Sequence, residues 1–333
     1  MKTRGAPPTS PGDTERVAID TPLSPADEVT VAPLTQTAME PPARSQWQLF
    51  YRRFRRHRLA VISLVVLVLL YLFVSFPHVT APYPLNPRTL SRPRGPYAKH
   101  LFGTDDLGRD QTTRMIYAAH LSMTIGLLVA VFSTIIGTTV GALAGFFGGW
   151  VDQLLMRITD LFLVVPALAV IAVAQAGLDN KALPLVGKVS SSTLIIGTLS
   201  ILFWMYIARV VRGLFLSLKE KEFIEAARAS GASSWRIMFR HILPNTIGPI
   251  VVNTTLIVAQ AILLESTLSF LGLGIKPPAV SLGSMLSDAE QWVGTHNAYL
   301  IYFPGLVLLL IVLCINFLGD GLRDAFDPQS SRH

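Results

Sequence analysis

The sequence predicts an all-α membrane protein with six transmembrane helices. Hydrophobic residues make up 51% of the 333-residue chain and charged residues only 15%, whereas soluble domains carry about 25% charged residues. Six stretches of about 18–27 residues contain no charged side chain, and a helix needs this length to cross a bilayer. Backbone groups in lipid must be satisfied within their own segment, which favours helices. The apolar excess excludes a largely disordered chain.

The six charge-free stretches follow one another along the chain. They comprise residues 59–76, 121–147, 161–178, 189–208, 246–264 and 298–318. Residues 266–275 are also apolar, but this segment is too short to span a membrane, so we expect a re-entrant or interfacial piece there. Gly137, Gly141 and Gly145 recur at four-residue spacing within the second stretch. Small residues on one helix face predict the close approach of another helix.

The first 46 residues differ from the rest, because they lack aromatic residues and are rich in Pro, Ser and Thr. This composition cannot form a core, so we expect 1–46 to be a disordered tail. Five arginines follow in residues 51–58, directly before the first apolar stretch. Such a cluster is able to bind nucleic acid or anionic lipid headgroups, but beside a membrane span it favours a cytoplasmic location for that end.

This orientation predicts cytoplasmic N- and C-termini and four parts of the chain. They are a disordered cytoplasmic tail at 1–46, the first transmembrane helix with an extracytoplasmic loop at 47–118, a five-helix core at 119–320 and a cytoplasmic C-terminal tail at 321–333. The segments expected inside carry more Lys and Arg than those expected outside, although the loop at 77–118 is itself basic.

No catalytic, cofactor or metal site is predicted. The Gly187-Lys188 pair lacks the rest of a phosphate-binding loop, and no H-E-x-x-H motif or paired histidine spacing occurs. The single cysteine, Cys314, excludes a disulfide scaffold. No predicted span has an ionisable residue at its centre, which argues against coupling to a proton or sodium gradient. Glu265, at the outer end of the fifth span, is expected to reach water.

The longest predicted cytoplasmic loop, 209–245, indicates two short helices joined by a turn. Residues 223–230 favour a helix, and Gly231 stands where a left-handed residue would end it. One of the serines at 233–234 is able to cap a second helix, which has one mainly apolar side, and Pro244 is expected to break that helix. The loop is either a solvated amphipathic segment or a docking element for a partner.

Six residues of this loop resemble the "EAA" loop of ATP-binding-cassette (ABC) importer permeases, whose pattern is E-A-A-x3-G-x9-I-x-L-P. They are Glu225, Ala226, Ala227, Gly231, Leu243 and Pro244. His241 stands where the general pattern has Ile, and the run 241–245 is similar to the dipeptide, oligopeptide and nickel branch of the family. Residues 100–110, 265–285 and 319–328 resemble permeases of the same branch, so the resemblance covers roughly 50–328.

The resemblance implies the type I ABC importer permease (MetI-like) fold in a bacterial inner membrane. It implies the second, "C"-type permease subunit of an importer, most similar to those for di- or oligopeptides, with nickel or another small solute as the alternative. The implied partners are a homologous second permease, two cytoplasmic ATP-binding subunits and an extracytoplasmic solute-binding protein, with no nucleic acid and no cofactor. The six motif residues would couple the permease to the ATPase subunits.

Two other classes of protein fit the sequence less well than a transport subunit does. A passive channel or ion-coupled carrier would leave the helix–turn–helix loop unexplained. The predicted spans also contain no charged residues that could line a pore. An intramembrane protease would need a catalytic set, yet the serines in the predicted spans have no histidine beside them in the membrane.

Overall fold

The computed structural model describes residues 46–86, 93–178, 182–183, 187–188 and 190–326. The helices are α1 (Gln46–Arg56), α2 (Arg58–Ser75), α3 (Pro77–Thr80), α4 (Gln111–Phe147), α5 (Gly149–Val164), α6 (Ala167–Leu178), α7 (Ser191–Leu218), α8 (Glu222–Ala229), α9 (Ser234–Arg236), α10 (Leu243–Phe270), α11 (Leu282–Asp288) and α12 (Tyr299–Phe326). A π-helix occupies Ile237–Ile242 and a 3-10 turn Glu290–Trp292, while β1 (Ala182–Leu183) and β2 (Gly187–Lys188) form one antiparallel pair. The predicted N-terminal tail lies outside the described residues, except for Gln46 at the start of α1.

Among the described residues, five helical segments are long and apolar enough to cross a membrane. They are α2, α4, α7, the continuous run Ser234–Phe270 that ends in α10, and α12. The remaining predicted span is a broken helix, because α5 and α6 form a pair bent by 78°. The prediction of one helix over 161–178 is therefore wrong. Pro166 explains the break, since it has no N–H to donate and biases Val165, at φ −76° and ψ 127°, toward extended backbone.

Capping side chains, rather than hydropathy, set several helix ends. α4 begins at Gln111, well before the apolar stretch, because Asp110 Oδ2 accepts a 2.7 Å hydrogen bond from the Thr113 N–H. Ser190 caps α7 in the same way, and α7 continues to Leu218. Much of the predicted loop 209–245 is therefore helical extension of the neighbouring spans.

The most extensive helix contact in the described bundle joins α4 to α7. The predicted glycine row faces α7, where a Cβ added at Gly141 would lie 2.4 Å from the carbonyl oxygen of Ala208. A Cβ at Gly145 would lie 2.6 Å from the Cβ of Phe215, which is fully buried. Close helix packing through these glycines is confirmed, since any side chain there would push the two backbones apart.

Within the part of the chain that the structure describes, buried apolar side chains form two clusters. The first lies among α4, α7, α10 and the π-helical turn before α10, and it includes Ile207 and Phe215. The second joins α2, α4, α10 and α12 and includes Ile262 and Ile311. The outward faces of the same helices expose large apolar side chains such as Leu69. Such a surface suits lipid or a partner helix rather than water.

The bundle has two ends, which place the polar segments apart from each other. We call the end that carries residues 219–233 the loop end; α4 finishes there, α10 begins there, and α1 packs on the end of α12 with Phe50 and Phe326 ring centroids 4.3 Å apart. The opposite end carries residues 93–110, α11 and the first residues of α4 and α12.

Glu265 does not reach water, contrary to the prediction. α10 continues to Phe270 through the first half of the segment 266–275, and Glu265 is fully buried in this turn. Its carboxylate accepts hydrogen bonds from Ser122 of α4 at 3.0 Å and from Ser269 at 2.7 Å. Hydropathy placed the residue at a span end, but the packing of α4 and α11 closes that end from solvent.

Candidate functional site

The predicted docking loop is built at the loop end as a helix, a tight turn and a second helix. The fully buried Ile224 anchors α8 to the first core. Gly231 ends this helix with φ of +77°, and its N–H donates to the Arg228 carbonyl at 2.9 Å. The Ala232 N–H donates to the Ala227 carbonyl at 3.0 Å. These bonds form a Schellman motif, which confirms the left-handed turn predicted at Gly231.

Three of the first four motif residues lie on α8, on different sides of the helix, and the fourth, Gly231, follows its end. Glu225 and Ala226 are exposed, and Glu225 has no ion-pair partner among the described residues. Ala227 is half-buried and packs against the first core. Gly231 is exposed, and no atom lies within 4 Å of the position that a Cβ would take. One side of α8 therefore attaches to the bundle, and the other faces outward.

The second helix does not break at Pro244, so that prediction is wrong. Leu243 has helical φ and ψ of −55° and −44°, and its N–H donates to the carbonyl of Met238, five residues back. Pro244 then lies in the first turn of α10. A π-helical turn is wider than an α-helical one, so the ring of Pro244 avoids the carbonyl it would meet in a regular α-helix.

The remaining motif residues attach this helix to its surroundings. Leu243 is half-buried against the first core, whereas Pro244 is exposed and lines a groove beside α1. The predicted apolar side of the helix is confirmed, since Ile237 and Met238 are each only 2% exposed. Ser233 caps the helix, because its Oγ accepts a 3.4 Å hydrogen bond from the backbone N–H of Arg236.

Exposed aromatic side chains lie on the same end of the molecule. Trp235 and Phe239 stack with ring centroids 5.6 Å apart, and Phe147 meets Trp235 edge-on at 6.5 Å. These three side chains are between 49% and 57% exposed. The loop end thus presents exposed aromatic area as well as the exposed charge of Glu225. Aromatic residues are enriched at protein interfaces for their large contact area.

Two ion pairs join α5 to α7 near the loop end, and sequence analysis missed both. Arg212 contacts Asp152 through two hydrogen bonds, of which the one from Nη2 to Oδ2 measures 2.6 Å. Arg209 Nη2 lies 2.5 Å from Asp160 Oδ1. Both side chains of this pair are about half exposed, so it stabilises the contact between the helices less than the first pair does. The sequence offered one signal for these pairs, because Arg209 and Arg212 are three residues apart and therefore lie on one face of a helix.

A charge network at the opposite end fixes the segment 93–110 to the helices. Arg114 Nη1 lies 2.5 Å from Asp105 Oδ2, and its Nη2 lies 2.9 Å from Asp288 Oδ2 on α11. Arg109 Nε donates to the same Asp105 oxygen at 2.7 Å. Arg114 and Asp105 are both buried, and a buried charge is costly unless it is paired. The contacts above supply that pairing for both side chains.

Further polar contacts complete this attachment. Asp110, which caps α4, also places Oδ1 2.7 Å from His100 Nδ1. The Tyr299 hydroxyl of α12 donates to the Thr104 carbonyl at 2.8 Å. The polar residues of 100–110, one of the segments that carry the family resemblance, therefore hold this segment against α4 and α12.

The surface next to this network is a groove of about 910 Å³. Arg109 and Lys276 contribute positive charge to its lining, and Asp106, Asp288 and Glu290 contribute negative charge. The groove is therefore polar with charges of both signs, unlike the apolar sides of the bundle.

Glu265 is the centre of a second polar cluster at the opposite end. Ser122, which donates to Glu265, accepts a 3.3 Å hydrogen bond from the Leu282 N–H of α11. Ser269, which also donates to Glu265, accepts one of 3.0 Å from the Ile275 N–H. The carboxylate thereby holds α4, α10 and the chain that follows α10. The sequence signal was one Glu among serines directly after a charge-free span.

The arrangement of the helices is similar to that of a solved structure. A chain of the MetNI methionine ABC transporter, solved in inward-facing conformations, superposes with a TM-score of 0.52 and 19% identity over 64% of this chain and 96% of that chain. This likeness shows the type I ABC importer permease (MetI-like) fold that the sequence predicted.

Sequence comparison specifies the family. Residues 137–332 match the model of the binding-protein-dependent transport system inner membrane component, and residues 45–96 match the N-terminal TM domain of oligopeptide transport permease C. The dipeptide permease DppC of Alkalihalophilus pseudofirmus is 38% identical over 86% of this chain and 91% of its own length. The oligopeptide permease OppC of Mycobacterium tuberculosis is 42% identical over 86% and 96%.

The chain belongs to the family of binding-protein-dependent transport system inner membrane components. It is a multi-pass inner-membrane permease of the ABC importer class, which confirms the family and location predicted from the sequence.

Proposed function

We propose that this chain is the "C"-type permease subunit of an ATP-driven importer of di- or oligopeptides. The observation that carries the coupling role is the preformed element of α8, the Gly231 turn and the second helix, with Glu225 exposed on its outer side. The substrate class is supported by two relatives, a dipeptide and an oligopeptide permease, which align with most of the chain. ATP is hydrolysed by two partner subunits, because the sequence has no phosphate-binding loop.

The coupling element transmits movement through one continuous helix. The run Ser234–Phe270 has 37 residues, so at about 1.5 Å per residue it reaches from the loop end to the opposite end. Ile224 and Ala227 hold α8 against the same core as the start of this helix. A displacement of α8 by the ATPase subunits therefore moves the helix that carries Glu265 at its far end.

The loop end faces the cytoplasm in this proposal, together with both termini. The tail 1–46 is dispensable, 47–118 supplies the first span and an extracytoplasmic loop, 119–320 is the transport core, and 321–333 is a cytoplasmic tail. Within the core, the motif residues Glu225, Ala226, Ala227, Gly231, Leu243 and Pro244 couple to the ATPase. The polar groove at the opposite end faces the solute-binding protein, and a homologous second permease covers part of the apolar sides.

Uptake in a reconstituted system tests the proposal. The chain is co-expressed with the second permease, the ATPase subunits and the binding protein, and uptake of a labelled dipeptide, a labelled pentapeptide and ⁶³Ni²⁺ is measured with and without it. We expect peptide uptake to require the chain and nickel uptake to be unaffected. Loss of nickel uptake alone would establish the small-solute alternative, and metal-dependent ATPase activity of the chain alone would contradict the assignment of hydrolysis to partners.

A further inference from the structure

The basic helix α1 takes no part in the coupling element, yet it is attached to the bundle at the loop end. Phe50 stacks with Phe54 at 6.0 Å and packs on Phe326 of α12 at 4.3 Å between ring centroids. Arg52 and Arg56 are exposed. α1 therefore directs an aromatic face toward the protein and a basic face outward, the pattern of an amphipathic helix that lies at a membrane surface.

A groove of about 460 Å³ lies between α1, the start of α10 and the end of α12; we call it the α1 groove. Leu49, Ile247 and Phe326 contribute apolar lining, and Arg53 and Asn245 contribute polar groups. Leu49 and Ile247 are each 37% exposed, so the apolar lining is open to an occupant from outside the described chain.

The position of the α1 groove indicates the kind of occupant. α2 begins at Arg58 directly after α1, α10 begins at Leu243, and α12 ends at Phe326. These three helices belong to runs that are long and apolar enough to span a membrane, so we place the groove at the level where those runs leave the hydrocarbon core. Phospholipid headgroups occupy this level, with their acyl chains directed along the spans.

The charge around the α1 groove is positive. Residues 52–58 contribute five arginines and α12 contributes Arg323, while the acidic residues in the last turns of α12 are Asp320 and Asp324. Asp324 Oδ2 lies 3.7 Å from His57 Nε2. The surplus of arginine complements a negatively charged headgroup, and clusters of four to eight basic residues beside a span are typical of anionic lipid binding.

We propose that the α1 groove binds an anionic phospholipid. Its phosphate contacts the arginines of α1, and its acyl chains lie on the apolar lining formed by α10 and α12. The basic face and the apolar groove match the two parts of one lipid molecule at one level of the membrane. Lipid binding in the α1 groove requires neither a particular transported substrate nor a coupling role of α8.

Native mass spectrometry of the purified full-length chain tests the proposal, with dioleoylphosphatidylglycerol and dioleoylphosphatidylcholine titrated in parallel. We expect the phosphatidylglycerol to bind at least about tenfold more tightly. Arg52→Gln/Arg56→Gln should weaken its binding about 10- to 30-fold and leave phosphatidylcholine unchanged. The matched control Lys99→Gln/Arg157→Gln removes the same charge from two other exposed positions and should change binding less than about twofold.

A second variant keeps every arginine and alters the apolar part of the site. Ile247→Trp fills the groove and should weaken phosphatidylglycerol binding about fivefold or more, since it displaces acyl chain from the apolar lining. Equal binding of both lipids to the wild-type chain, or equal loss in the matched control, would overturn the proposal.

Photo-crosslinking in membranes distinguishes lipid from protein occupants. A photoreactive residue in place of Leu49 should crosslink to phospholipid. A crosslink to residues 1–44 or to another protein in place of lipid would show that the groove is covered by protein and would overturn the proposal. Peptide uptake enters none of these measurements, so their failure would leave the proposed transport function untouched.

Discussion

The Ser122 hydroxyl donates a 3.0 Å hydrogen bond to Glu265 Oε2 and so joins α4 to α10 inside the bundle. Both residues are fully buried. Because Ser122 also accepts the Leu282 N–H, the same contact positions α11. Glu265 is therefore a structural carboxylate at the opposite end of the helix that begins in the proposed coupling element.

Replacing Glu265 tests this structural role. Glu265→Ala leaves the hydroxyls of Ser122 and Ser269 without their acceptor, and each unsatisfied buried group costs about 1–3 kcal/mol. We expect a loss of about 3 kcal/mol in stability, measured by thermal unfolding of the detergent-purified chain. Ser266→Ala is the matched control, since it removes only a 3.4 Å contact to the same carboxylate and should cost less than about 1 kcal/mol. An unchanged Tm for Glu265→Ala would refute the role.

A second prediction concerns the contact between α4 and α7. Gly141→Val places its Cβ within 2.4 Å of the Ala208 carbonyl, so the helices must separate, and overpacking of this kind costs about 1–3 kcal/mol. Lower abundance in the membrane and a lower Tm are expected. Gly213→Val is the control, because it is also helical but has no atom within 4 Å of its added Cβ. Equal effects of the two substitutions would contradict the packing argument.

Gly231 provides the test of the coupling element. Gly231→Val forces a β-branched residue into the left-handed region, which costs roughly 1–2 kcal/mol at the turn. This cost is small relative to the stability of the whole bundle, so we expect normal abundance in the membrane. The strain distorts the end of α8, so we expect weaker ATPase association and little or no uptake. Gly231→Asn should retain most activity, because Asn tolerates this conformation. Wild-type uptake by Gly231→Val would exclude this turn from coupling.

Glu225 should have a smaller effect than Gly231. Glu225→Ala removes an exposed charge without altering the backbone of α8, and an exposed ion pair is worth about 0.2–1 kcal/mol. We expect co-purification with the ATPase subunits to weaken by up to about fivefold. Glu222→Ala removes a neighbouring exposed charge outside the motif and serves as the control. If both substitutions weaken association equally, net charge rather than the Glu225 position is responsible.

Membrane topology is tested with single cysteines in a Cys314→Ala background. Arg94 lies at the opposite end and Ser233 at the loop end, and both are exposed. In intact cells, an impermeant thiol reagent should label Arg94→Cys and not Ser233→Cys, because the arginine cluster at 52–58, directly before the apolar run of α2, favours a cytoplasmic loop end. Labelling of Ser233→Cys in intact cells would reverse the proposed orientation.

Local patterns in the sequence were sufficient for most of the architecture. A charge-free run long enough to span a bilayer must satisfy its backbone internally, so the stretches at 59–76 and 121–147 predicted helices. The turn at Gly231 was also predictable, because the left-handed conformation that ends α8 favours glycine. The glycine row from Gly137 predicted a helix contact, although its partner α7 was not identified.

Tertiary structure decided the features that depend on residues distant in the sequence. Hydropathy placed Glu265 at a wet span end, but Ser122 and α11 close over it, and no local pattern reports a partner so far along the chain. Pro244 continues a helix because a π-helical turn accommodates its ring, whereas Pro166 breaks one. Composition by itself determined that the chain crosses a membrane; only the packing of helices against one another determined which polar groups are buried, since burial is a property of the surroundings and not of the residue.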